Sequence, residues 1–279
     1  MTTIAVTGAT GQLGRLALAS LQQRGFAPIA LARTPAKVAE GLTARAFDYT
    51  APDPAALAGV DVLVLISSND FNDRLDQHRR VIEAAKTARV GRVIYTSILK
   101  GDASPMLLAQ DHVGTEALLK ASGLTYTILR NGWYLENLTG SLGAALQHGA
   151  VIGAAGEGRF AAAARADFAE AIAVTASTNG HDNAVYELAG DSAFTMAELA
   201  AEVGRQTGRQ IPYQNLPPEA YAGVLVSVGL PEGFAHVLAD SDAHAAHGAL
   251  DDGSRTLSRL IGRPTTLMAA AVSTALAAL

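Results

Sequence analysis

Three glycines, Gly8, Gly11 and Gly14, stand between a β-branched apolar run beginning at Thr3 and a helix-forming segment. Each has a job that a side chain would obstruct. Gly8 lets the chain leave the strand through a tight turn, Gly11 lets a pyrophosphate approach the backbone, and Gly14 lets the helix lie close on the strand. The amides that follow point at the phosphates with the positive end of the helix dipole behind them. The chemistry expected of Gly8, Ala9, Thr10, Gly11, Gln12 and Leu13 is therefore capture of a dinucleotide. A second residue selects which one. The next strand ends at Arg33, where the adenosine ribose is expected. An acidic side chain there accepts hydrogen bonds from ribose hydroxyls, whereas an arginine suits a 2′-phosphate, so the reading is NADPH.

The elements that must position these residues alternate through the first half. After the glycine turn the pattern predicts a helix over 12–24, strands over 28–33 and 45–47, and an apolar strand over 60–66 of the kind buried on both faces. A helix over 73–88, a strand over 92–96, a helix over 106–122 and a strand over 124–130 follow. Repeated βα units of this kind predict an α/β, Rossmann-like, doubly wound parallel sheet with right-handed crossovers. Ligands in such sheets sit beyond the carboxyl ends of the strands, which directs attention to Asp48 and Tyr49, to Ile66, Ser67 and Ser68, to residues 96–100, and to the segment from Asn131 to Asn137.

From about residue 149 the periodicity loosens. A strand is expected at 184–188, a helix opened by the capping box Thr195 and Glu198, and a strand near 211–216. The expected division is an NADP-binding domain over 1–148 and a smaller substrate lobe over 149–279 packed on it, with no marked linker.

Composition narrows the class. The chain has 279 residues, is 49% apolar and carries a formal charge of −5 without a basic block. A large core is available, and neither nucleic acid nor a membrane is an expected partner. The absence of cysteine excludes disulfides and thiolate chemistry and suits a cytoplasmic protein. The first strand begins within three residues of Met1, so no signal peptide is expected. The apolar stretch 265–279 falls short of the roughly 20 residues a spanning helix needs. His244, His247 and the nearby aspartates match no zinc spacing, so no metal is expected, and His78 is read as a structural residue. The sequence allows a homo-oligomer without indicating one.

One device is missing. Short-chain dehydrogenases commonly pair a tyrosine with a lysine four residues on, the lysine lowering the tyrosine pKa for proton transfer. None of the seven tyrosines has that lysine. Counted from Ser97, the two positions hold Gln110 and Gly114, with His112 and Glu116 sharing a helix face nearby. Alcohol–ketone interconversion and sugar-nucleotide epimerisation need the pair. Hydride delivery to a quinone does not, because the aromatic ring stabilises the hydroquinone anion and solvent can protonate it.

The segments V-T-G-A-T-G-Q-L-G from Val6, I-S-S from Ile66, Y-T-S from Tyr95, L-R-N-G-W-Y from Leu129 and I-G-A-A-G from Ile152 carry a resemblance along the whole chain. Y-E-L-A-G-D-S-A from Tyr186, Y-Q-N-L from Tyr213 and L-I-G-R-P-T-T from Leu260 extend it. The chain resembles NmrA-like atypical short-chain dehydrogenases of the NADPH:quinone oxidoreductase 2 type, which are close to triphenylmethane reductases. The resemblance implies a Rossmann domain, NADPH as donor and two-electron reduction of a quinone without flavin. It places cofactor contacts on the glycine turn, Arg33, Ile66, Ser67 and Ser68, and on Asn131, Gly132, Trp133, Tyr134, Leu135 and Glu136. A flat quinone is expected to stack on Trp133 or Tyr134, with Asn131 or Asn137 donating to its oxygen. The alternatives are a non-catalytic NmrA-type sensor of the NADP and NAD pools, and a reductase of another electrophilic acceptor such as a dye.

Overall fold

The computed structural model describes residues 2–279. The chain divides into two compact units. The first comprises residues up to Gly101, Gln110–Asn131 and Arg165–Leu188. It is built on β1 (Ile4–Val6), α1 (Gln12–Gln23), β2 (Ile29–Ala32), β3 (Thr43–Ala46), β4 (Val62–Leu65), α2 (Arg74–Thr87), β5 (Arg92–Ile98), α3 (Ala109–Ala121) and β6 (Thr125–Asn131). After α4 (Leu135–Thr139), α5 (Leu142–His148), β7 (Val151–Gly153) and β8 (Arg159–Phe160), which belong to the second unit, the chain returns to the first with α6 (Arg165–Ser177) and β9 (Ala184–Leu188).

The seven strands run in the order β3-β2-β1-β4-β5-β6-β9, and every neighbouring pair is parallel. The order reverses beside β1, so the glycine turn lies at the topological switch where such sheets take their ligands. On one face Leu63, Leu65, Val93, Tyr95 and Ile128 pack against Val81, Ile82 and Ala85 of α2 and Leu119 of α3. The other face carries α1 and α6, which lie against each other.

Two sequence expectations are revised here. The strand at 184–188 forms as expected but is the seventh strand of the main sheet, paired with β6, rather than part of a separate lobe. Its supporting helix α6 had no periodic signature because it is buried nearly all round: Phe168, Ala169, Ala171, Ile172, Ala173 and Ala176 are all enclosed. The compact units therefore interleave along the chain instead of dividing near residue 148.

The second unit adds β10 (Phe194–Thr195), α7 (Met196–Thr207), β11 (Tyr213–Asn215), α8 (Pro218–Ser227), α9 (Glu232–Ala245), α10 (Thr256–Ile261) and α11 (Met268–Ala277). It contains two small sheets, β8 with β10 antiparallel and β7 with β11 parallel. The capping box forms as read: the Thr195 hydroxyl accepts from the Glu198 amide and the Glu198 carboxylate from the Thr195 amide. No helix among the described residues is long and apolar enough to cross a membrane.

Candidate cofactor site

Gly8 adopts φ +59°, a left-handed conformation that turns the chain out of β1. The Gly11 amide closes the turn on the Gly8 carbonyl at 2.9 Å. A methyl group at Gly14 would lie 2.9 Å from the Gly8 carbonyl carbon and 3.1 Å from Ala9 Cα, both backbone atoms, so only glycine fits. At Gly11 an added methyl would meet the Gly8 carbonyl oxygen at 3.2 Å and nothing else. Gly11 is also the N-cap of α1, without a capping side chain and with no acid in the first turn. The first-turn amides of Gln12 and Leu13 thus stand open, which is the condition an anion needs at a helix N-terminus.

Arg33 follows β2 and is exposed. Its neighbour Asp48 accepts from the Thr50 amide, which holds the carboxyl below its usual range, and the Arg33 charge adds to the effect. The Tyr49 hydroxyl reaches across the strand ends, donating to the Ile66 carbonyl at 2.7 Å and lying against Thr7 Oγ1. Thr7 Oγ1 in turn accepts from the Ile66 amide. These bonds tie the end of β4 to the end of β1, and a Cβ on Gly8 would touch the Ile66 side chain at 3.6 Å.

The turn after β4 is held residue by residue. The Ser67 amide donates to Thr96 Oγ1, and the Ser68 amide donates to His78 Nε2, each at 2.9 Å. The Ser68 hydroxyl donates to Gln77 at 2.6 Å, and Arg74 Nε donates to the Ser68 carbonyl at 2.7 Å. His78 is fully buried and keeps the structural role read from the sequence. Burial, then the charge of Arg74, lowers its pKa to about 3.

At the end of β5 the serine that commonly works with the tyrosine–lysine pair is committed elsewhere. Ser97 Oγ donates to Glu116 at 2.7 Å, and Arg130 donates to the same carboxylate through Nε and Nη2 at 2.9 and 2.7 Å. Arg130 Nη1 reaches Glu187 on β9, which also receives the Lys100 amide. Burial works to raise the Glu116 pKa, but hydrogen bonds from Arg130 and Ser97 prevail and leave it lowered. Gly114, the lysine position, lies under Leu75: a Cβ there would be 2.9 Å from Leu75 Cδ1. Gln110, the tyrosine position, is exposed. Tyr95 is enclosed with its hydroxyl 2.8 Å from His112 Nδ1, and burial pushes its pKa up.

The remaining expected residues distribute as follows. Asn131 closes β6 in the first unit and is 4% exposed, its carbonyl accepting from Leu99. Gly132 to Asn137 belong to the second unit. There Trp133 and Leu135 are buried, Tyr134 and Glu136 are half-buried, and Asn137 is exposed. The backbone of this segment pairs with Ala163, whose amide donates to the Trp133 carbonyl and whose carbonyl accepts from Leu135. Within the first unit the structure brings Gly8 against Ile66 and fixes Ser67 and Ser68. The supports Thr7, Arg74 and Gln77 had no sequence signal of their own, and Thr96 lay in the segment 96–100 flagged by its place at a strand end. Tyr49 was flagged only by its place after a strand. Among the described residues no three His, Cys, Asp or Glu side chains gather as a metal site.

The profile of a family described as NAD(P)H-binding matches residues 8–179. Escherichia coli quinone oxidoreductase 2 is 52% identical over 278 residues, covering 97% of both chains. An NAD(P)H azoreductase of Xenophilus azovorans is 30% identical over 95% of both chains. An NmrA-like family domain-containing oxidoreductase of Aspergillus flavus is 30% identical over 77% of this chain and 75% of its own. Among solved structures, the Escherichia coli NADPH-dependent quinone oxidoreductase complexed with NADPH superposes with a TM-score of 0.94 at 51% identity, covering 98% of this chain and all of that one. The Citrobacter triphenylmethane reductase complexed with NADP(H) gives 0.91 at 31% identity over 98% of this chain and all of that one.

Proposed function

The chain belongs to the NmrA-like branch of the NAD(P)H-binding family, and from that premise we propose that it is an NADPH-dependent reductase that carries out two-electron reduction of quinones without flavin. The observation that carries the reading is the cradle at the start of α1. Gly14 admits no side chain, Gly8 is left-handed, and the Gln12 and Leu13 amides have no capping partner. These residues fit a pyrophosphate. The exposed Arg33 fits a 2′-phosphate, with a charge-assisted bond worth roughly 1.5–3 kcal/mol.

Gly8, Ala9, Thr10, Gly11, Gln12 and Leu13 would hold the phosphates, and Ile66, Ser67 and Ser68 the ribose side. Asn131 closes β6 of the same unit, and the family resemblance assigns further cofactor contacts to Gly132, Trp133, Tyr134, Leu135 and Glu136. Bound NADPH supplies a hydride. The acceptor's ring stabilises the charge that arrives, so a proton can come from water, in keeping with a strand end where Ser97 is bound to Glu116 and Tyr95 to His112. Trp133, Tyr134 and Asn137 are the expected substrate residues, the ring of Trp133 or Tyr134 for stacking and Asn137 for a quinone oxygen; Tyr134 is half-buried and Asn137 exposed. Trp133 is buried. The cytoplasm, where reduced nicotinamide is available, is part of this reading and suits a chain without cysteine.

Purified protein, NADPH and a series of benzo- and naphthoquinones test it through loss of the reduced-nicotinamide absorbance. Turnover with NADPH above that with NADH is expected. Nucleotide binding without consumption across the series would refute the enzyme reading and leave a sensor.

A further inference from the structure

Arg74 is a buried cation of the first unit with few partners. It is 4% exposed, yet no carboxylate lies within ion-pair distance of its guanidinium. Nε donates to the Ser68 carbonyl, the Phe71 ring lies 4.5 Å from Cζ, and Nη1 is buried without a partner. Burying a cation in this state is costly, so its presence calls for a physical reason.

The reason lies in what surrounds it. Arg74, Gln77 and His78 stand at helical spacing on one face of α2, and each takes a different group of Ser68: carbonyl, hydroxyl and amide. The amide contact has an electrical requirement. Only an unprotonated Nε2 can accept the Ser68 N–H. The proton then sits on Nδ1 and is donated to Thr115 Oγ1 at 2.9 Å, whose own hydroxyl donates to the Asp111 carbonyl. An imidazolium has two N–H groups and no acceptor, so protonation of His78 would release Ser68.

The groups facing His78 are Arg74 on its own helix, the Tyr49 and Tyr95 rings, and His112 on α3, with Asp70 and Asp111 acting on Arg74. Both tyrosines are held neutral by burial. The nearby permanent cation therefore opposes protonation of both imidazoles. Burial, then Arg74, depresses His78, and burial, then Arg74, then His78, depresses His112.

We propose that Arg74 is a positioning residue for the cofactor turn, gripping Ser68 by its carbonyl on the helix face from which Gln77 and His78 hold its hydroxyl and amide. This rests on the reading that Ile66, Ser67 and Ser68 bind NADPH. It goes beyond that reading in assigning a role to a residue that need not touch the cofactor.

The test uses the full chain and the variants Arg74→Gln, Arg74→Lys and His78→Gln. NADP⁺ affinity is measured by calorimetry near neutral pH and about two pH units lower. Each variant is compared with the native chain at the same pH, so that titration of the 2′-phosphate cancels. Imidazole resonances, assigned with His78→Gln, are followed over the same range.

Arg74→Gln is expected to bind NADP⁺ about ten- to a hundredfold more weakly near neutrality, the range of a lost charge-assisted bond. Burial, the larger cause, remains in this variant, so His78 should titrate above its native range yet below a free imidazole, and any growth of the deficit at the lower pH should follow that titration. Arg74→Lys keeps the charge and should show a smaller deficit that does not change with pH. His78 of the native chain should stay neutral throughout and titrate at higher pH in Arg74→Gln.

Native affinity in Arg74→Gln, an unchanged His78 titration, or the same pH-dependent loss in Arg74→Lys would each overturn the proposal. If Arg74→Gln fails to fold, an ordinary imidazole titration of His78 in the native chain overturns it alone. Failure of the native chain to bind NADP⁺ would refute the cofactor reading instead, and quinone turnover enters neither measurement.

Discussion

Replacing Gly14 by alanine separates the packing role of the glycine turn from its binding role. The new methyl would stand 2.9 Å from the Gly8 carbonyl carbon and 3.1 Å from Ala9 Cα, and closer still to the Gly8 oxygen. Carbon atoms pack at about 3.5–4.0 Å, so the deficits are at least roughly 0.6 Å and 0.4 Å, both against backbone. No side chain can swing aside to absorb it, so α1 must move off β1. Forced overpacking of this kind costs about 1–3 kcal/mol. The same movement displaces the Gln12 and Leu13 amides from the phosphates, and a displacement near 1 Å can cost about a hundredfold. Gly11→Ala provides the control: its methyl meets one oxygen at 3.2 Å, so the fold is nearly unaffected, while the pyrophosphate loses its approach. Urea unfolding and NADPH titration on both variants give the two quantities. Loss of stability and affinity is expected in Gly14→Ala, and loss of affinity with near-native stability in Gly11→Ala. A Gly14→Ala protein with native stability and native NADPH affinity would refute the cradle.

Arg33→Ala should weaken NADPH by about ten- to a hundredfold and leave NADH nearly unchanged, measured as the two dissociation constants. Replacing Tyr95, Tyr126 or Tyr134 by Phe should leave kcat within severalfold, because a lost general acid costs about 10²–10⁴-fold and none of the three is assigned that work. Trp133→Ala, which empties a buried indole site, should lower stability by about 3–5 kcal/mol in chemical unfolding, visible before any change in quinone KM. Asp242, whose folded pKa burial raises from 3.8 to about 6, makes stability fall as pH rises through that window, since the native state holds a proton the unfolded chain has released. Asp242→Asn should therefore gain stability relative to the native chain by about 2 kcal/mol between pH 4 and pH 7, read from denaturation midpoints at each pH.

The legible parts of this chain were those where a local rule and the tertiary outcome coincide. Gly8 announces a left-handed turn by its own φ, and the steric need at Gly11 and Gly14 is set by atoms six residues away or fewer. The strand at 62–65 reads from its unbroken apolar run, and Thr195 with Glu198 reads as a cap because the bond is local. Helix α6 did not read, because burial on several sides erases the stripe that marks a helix. Its absence from the sequence reading misplaced β9, which needs α6 as its crossover from the second unit. The supports of the cofactor turn did not read for a different reason. Arg74, Gln77 and His78 form an ordinary polar face by sequence, and only the return of Ser68 onto that face makes them a clamp. Trp133 illustrates the remaining limit: a lone tryptophan after a strand signals a large apolar ring, and only packing decides that this one is buried.

The missing tyrosine–lysine pair is built into the fold rather than being a simple loss of two side chains. A lysine at 114 would meet the methyl groups of Leu75 at 2.9 and 3.2 Å from its Cβ, a contact from which the exposed Leu75 side chain can turn aside, so the obstacle lies in the charges around Ser97. A tyrosine at 110 would find Ser97 already bound to Glu116, a carboxylate kept ionised by the two-point grip of Arg130. That grip extends through Glu187 to β9, and the Lys100 amide joins it at a left-handed residue, with Gly101 passing directly over the Arg130 guanidinium. The carboxyl ends of β5, β6 and β9 are thus locked by charge where a proton-transfer pair would otherwise stand. Restoring the pair would require releasing Glu116, and breaking such a buried ion pair costs about 3–5 kcal/mol. An acceptor reduced at this strand end must therefore tolerate hydride arrival without an acid beside it. A quinone meets that condition because its ring carries the charge, and a simple ketone does not.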